Sequence, residues 1–60
     1  MDLTTKELSA IEEQLIQEKL AVEKFKMFSE TAQDPQLRSA CQKIAAKHET
    51  HKNKLMDLLS

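Results

Sequence analysis

The sequence predicts an all-α protein, an antiparallel two-helix hairpin that pairs with a second copy to make a four-helix bundle. Three observations carry that prediction. The 60 residues contain no glycine and one proline, and they are rich in Ala, Leu, Glu, Lys and Gln, the residues that lose least on entering a helix. Apolar residues recur at alternating spacings of three and four along two segments, the period of a helix with one buried face. The only strong interruption, AQDPQ at residues 32–36, falls near the middle of the chain.

The first element is expected from about residue 5 to residue 32. Thr4 with Glu7 forms a capping box, and Leu3 with Leu8 occupies the two positions of a hydrophobic staple. Its seam reads Leu8, Ile11, Leu15, Glu18, Val22, Phe25, Ser29 and Ala32. The turn is expected at residues 33–34. Asp34 before Pro35 reads as an N-cap with proline at the first helical position, and the residue ahead of a proline avoids the helical region. The second element then runs from about 35 to 59, with the seam Leu37, Cys41, Ile44, His48, His51, Leu55 and Leu58. Ala21, Phe28, Ala40, Ala45, Met56 and Leu59 widen both stripes beyond what one hairpin can cover. The whole chain, 1–60, is thus one thin domain that needs a partner, and a second copy is the expected one.

Composition excludes several function classes. Ten acidic residues against nine basic ones leave no basic excess for nucleic acid. No apolar run is long enough to cross a membrane, and MDLTTKELSA lacks the basic start and apolar block of a signal peptide. An intracellular setting is the expectation. Cys41, the only cysteine, cannot form a disulfide within the chain and reads as a small core residue. Without glycine there is no phosphate-cradling loop. Helix one carries six glutamates and four lysines, and helix two five basic residues against Glu49 and Asp57, a bias that favours their pairing.

Three polar residues interrupt the seams: Glu18, and within IAAKHETHKNKL, His48 and His51. Folding the chain back at residues 33 and 34 sets residue i opposite roughly 67 minus i, so Glu18 faces position 49. All three side chains then share one layer within about a turn, at a rise of ~1.5 Å per residue. The layer lies near the middle of both helices, where a two-fold partner would double it to two glutamates and four histidines. Imidazole and carboxylate donors suit zinc, iron, manganese or copper, and an ion would supply stability that a small core lacks. Spacing by three puts the histidines on one helical face. Three blander alternatives stand beside a metal site: a metal-free polar layer that fixes register, partial exposure of the three side chains to solvent, and a relic of an ancestral site.

HETH is not a zincin motif, because His-Glu-x-x-His needs its histidines four apart. Cys41 lies about 10 Å along the axis from His48, too far to share an ion. No catalytic residues are assigned: nothing in the chain pairs a nucleophile with a base or sets two carboxylates across a cleft. Lys43, Lys47 and Lys54 share an outward stripe that reads as a solvated face.

EKLAVEKF, with Glu18, Ala21 and Phe25, followed after the turn by IAAKHETH, resembles half of a ferritin-like, rubrerythrin-type bundle. The family pattern has a glutamate with an aromatic two turns on, then Glu-x-x-His on the second helix. Aligning His51 with the family histidine puts His48 where the second glutamate belongs. The resemblance implies a metal site at Glu18, His48 and His51. The change to imidazole departs from an oxygen-activating di-iron centre and favours zinc, copper or a single ion. Within that group the chain is most similar to small spore coat proteins of the coat F type. It shares their L-T-x-K-E-L start, the D-P-x-L-R turn (Asp34, Pro35, Leu37, Arg38) and an A-x-x-H-x-x-H second helix. That likeness implies a structural role in the forespore or spore coat, among other coat or helical proteins. A metal-handling or redox protein, and a helical adaptor docking onto another protein, are the alternatives.

Overall fold

The computed structural model describes residues 2–60. It contains two α-helices, α1 (Thr5–Thr31) and α2 (Pro35–Leu59), folded back on each other as an antiparallel hairpin. The hairpin is a rod, 46 Å long and 14 by 12 Å across. Its radius of gyration of 14.1 Å exceeds the roughly 10 Å of a compact chain of this length. A rod two helices thick has no interior beyond the single line where the helices meet.

Both helix starts are built as the sequence predicts. The Thr4 hydroxyl accepts from the Glu7 amide at 3.1 Å, while the Glu7 carboxylate accepts from the Thr4 amide at 3.0 Å. Those two bonds hold the Glu7 carboxyl below its usual range, the bond to the Thr4 backbone first. In α2 the Asp34 carboxylate accepts from the Gln36 amide at 2.8 Å and the Leu37 amide at 3.5 Å, with Pro35 at the first position. The turn uses ordinary extended backbone, with φ −64° and ψ 135° at Ala32, and φ −73° and ψ 122° at Asp34. No described residue has a positive φ, so a chain without glycine makes this reversal unstrained.

The buried line consists of Glu18 and Val22 from α1, with Cys41 and Ala45 from α2. Small residues on α2 let the backbones approach, and Val22 falls level with Ala45 by the fold-back count. Ile11, Leu15, Phe25, Ile44 and Leu55 are half-buried along the same seam. Toward the ends the seam opens: Leu8, Leu37 and Leu58 are exposed. The largest departure from the sequence expectation lies on the far side of α1. Ile16, Leu20 and Met27 are each more than half exposed. At 100° per residue they stand opposite the Glu18–Val22 line, so α1 carries a second apolar stripe that α2 cannot reach. Helix two has no counterpart and is the cleaner amphipath.

The opposite charge bias of the helices is not realised as salt bridges. Among the described residues, the carboxylate pairs across the hairpin involve histidines alone, and the one lysine bridge, Lys52 to Glu49 at 2.7 Å, lies within α2. That bridge lowers the Glu49 pKa first, and Lys26 of α1 adds a weaker pull across the groove. Among the described residues, no helix is long and apolar enough to cross a membrane.

Candidate metal centre

Glu18, His48 and His51 meet in the structure, as the fold-back count predicts. One donor atom from each lies within 4.8 Å of the other two. Glu18 comes from the middle of α1 and is buried, at 7% exposure. The histidines come from successive turns of α2, one beside the other.

The contacts are unequal. His48 Nδ1 lies 2.6 Å from Glu18 Oε2, a short charge-assisted hydrogen bond. A carboxylate only accepts, so the proton on this contact sits on Nδ1, leaving Nε2 as the acceptor when the ring is neutral. His51 Nδ1 stands 3.6 Å from Oε1, outside hydrogen-bonding range. The His51 side chain is 54% exposed against 30% for His48, so the centre opens toward solvent on the His51 side. The third neighbour of the carboxylate is Gln14, one turn before Glu18, whose Nε2 donates to Oε1 at 3.2 Å. These partners leave no buried side-chain nitrogen or oxygen unsatisfied among the described residues.

The carboxyl of Glu18 is held below its usual range. The hydrogen bond from His48 is the main cause; burial acts against it, and Gln14 and the charges of both histidines add to the lowering. The sign matters because burial alone would favour the neutral acid. Glu18 is therefore held as a carboxylate that faces two imidazoles.

Aromatic packing fixes the ring that matters most. Phe25 stacks on His48 with centroids 5.9 Å apart and planes 8° from parallel. Phe25 also meets Phe28 edge-on at 6.4 Å, and Lys24 Nζ lies 5.7 Å from the Phe25 centroid. His51 crosses His48 at 89° with centroids 5.8 Å apart. One imidazole is stacked and hydrogen-bonded, and the other is more exposed and makes no hydrogen bond to the carboxylate. Donors about 2.0–2.2 Å from a tetrahedral ion stand roughly 3.3 Å from one another. An ion held by Oε2 and both imidazoles would widen the 2.6 Å His48 contact toward that spacing, and in a neutral ring the Nδ1 proton would pass to Nε2.

Sequence reasoning assigned the three donors but missed Gln14. The signal was present, an amide four residues before the one buried carboxylate and on its face. Two shallow grooves between the helices lie elsewhere, one along Lys26, Ser29, Ala45 and Glu49, the other along Lys19, Val22, Glu23 and Lys52. None of the three donors lines either groove. Comparison with protein-family models, curated proteins and solved structures finds no match to this chain.

Proposed function

We propose that this chain is a small structural helical protein that holds one transition-metal ion at Glu18, His48 and His51, and that pairs with a second copy. The observation that carries the reading is the convergence of three donors from two helices around a buried, ionised carboxylate. A buried charge is costly unless paired or coordinated, and the buried apolar line of this hairpin is short. Two imidazoles and one carboxylate suit zinc or copper, with iron and manganese as further candidates. The exposed side of His51 and the open Phe28 and Leu58 give a second copy something to cover. The spore-coat setting and the ferritin-like four-helix arrangement belong to this proposal too. They rest on the motif resemblance carried by Asp34, Pro35, His48 and His51 and their neighbours. The structural role rests on the same resemblance.

The test is a titration of metal-free protein, purified without a histidine tag, with zinc or cobalt(II). Uptake of one ion per chain, lost in His48→Ala, supports the site. Ion at one hundred times its dissociation constant should raise stability by about 2.7 kcal/mol. Sedimentation at micromolar concentration reads the pairing, and a monomer in both metal-free and loaded states removes that part of the proposal. A second reading has its own observation. Oε2 and Oε1 of Glu18 already have partners in His48 and Gln14, so the layer can serve without metal as a register-fixing polar network. A fully stable pair that takes up no ion would select this reading.

A further inference from the structure

We propose that Gln14 is a positioning residue that selects the ion, by restricting Glu18 to ligation through one oxygen. This inference rests on the metal reading above and goes beyond it in naming the class of ion. Four-coordinate ions such as zinc and cobalt(II) are favoured over manganese(II), which takes more oxygen donors.

The two oxygens of Glu18 have different neighbours. Oε2 is the oxygen engaged by His48 at 2.6 Å, whereas Oε1 receives the Gln14 amide at 3.2 Å and lies 3.6 Å from His51 Nδ1. An ion entering between Oε2 and the imidazoles replaces the His48 hydrogen bond and can leave the Gln14 bond intact. Ligating carboxylates held by an outer hydrogen bond keep their orientation, and loss of such a bond weakens metal binding by roughly 10–100-fold in known sites. Ligation by both oxygens would draw Oε1 toward the ion and away from the amide. Gln14 therefore penalises the bidentate mode that large, oxygen-seeking ions exploit, and leaves the one-oxygen mode undisturbed. It does so from an exposed position beside the seam, so its side chain can be changed with little loss of packing.

Gln14→Leu and Gln14→Ala, in the full chain, are the variants. Cobalt(II) and manganese(II) are the probes, with helicity followed by circular dichroism. Cobalt(II) affinity should fall 10–100-fold in both variants, with a weakened four-coordinate absorption band, while manganese(II) affinity holds or rises. The ratio between the two ions then narrows. Unchanged cobalt affinity and spectrum would overturn the role of Gln14 while leaving the three-donor site standing. Loss of helicity in both variants would also overturn it, by making Gln14 structural. Failure of the unaltered protein to take up cobalt would remove both this inference and the reading beneath it.

Discussion

Two neighbouring levels of the hairpin each bury a side chain of α1 and are otherwise differently made. At one, Val22 falls level with Ala45, at 6% and 5% exposure, with Cys41 a turn away; at the other, Glu18 at 7% meets the more exposed His48 and His51. The apolar level is stable wherever its side chains pack, since burial is non-directional. The polar level is stable in one arrangement, because a displaced Glu18 would be a buried charge without a partner. The difference teaches a division of labour: Val22 and Ala45 bring the helices together, and Glu18 decides how. It also explains why the chain tolerates polar groups at its centre when two leucines would hold it more tightly.

The largest expected break in that comparison comes from Glu18→Leu. It removes the carboxylate of the polar level, so the proposed metal uptake, measured by titration calorimetry, should vanish while the helices persist in circular dichroism. Retention of uptake at wild-type affinity would assign the ion elsewhere. Damage to the apolar level should do the reverse. Ala45→Leu inserts bulk where the backbones are close, and overpacking costs about 1–3 kcal/mol, read as a lower midpoint in urea. A smaller effect follows from Asp34→Ala, which strips the α2 cap and costs about 1 kcal/mol in the same assay, without touching either level.

Acid sharpens the comparison most finely. The folded-state pKa of Glu18 is lowered from 4.5, chiefly by the His48 hydrogen bond, so the unfolded chain binds this proton more readily than the folded one. The stabilisation is complete above pH 4.5 and is lost as pH falls through the lower, folded-state value. Glu7 and Glu49 are lowered too, by the Thr4 backbone and by Lys52, so the whole acid limb is not due to Glu18. The expected result is a shallower acid transition in Glu18→Gln than in the unaltered protein. Superimposable acid limbs would show that the polar level contributes nothing there.

Much of this was legible in the residues. The caps at Thr4 and Asp34, the proline-marked turn and the shared height of Glu18, His48 and His51 follow from spacing and local chemistry, which the structure leaves intact. Other features depend on orientation, which spacing does not fix. A seam position says that His51 faces the partner helix, but only the rotation of α2 decides that it stands more than half open. The Phe25–His48 stack needs ring angles. Ile16, Leu20 and Met27 went unseen because a single-seam reading absorbs the strongest stripe and overlooks one directly behind it.

The turn has a consequence that does not appear among the contacts of the hairpin. It reverses the chain with ordinary backbone angles and no glycine, and Pro35 is rigid before folding begins. A disordered chain with fewer rotations available loses less freedom when it becomes ordered. Asp34 and Pro35 therefore favour the hairpin partly by impoverishing its competitor, and a glycine placed in this turn would weaken the protein by enriching the coil.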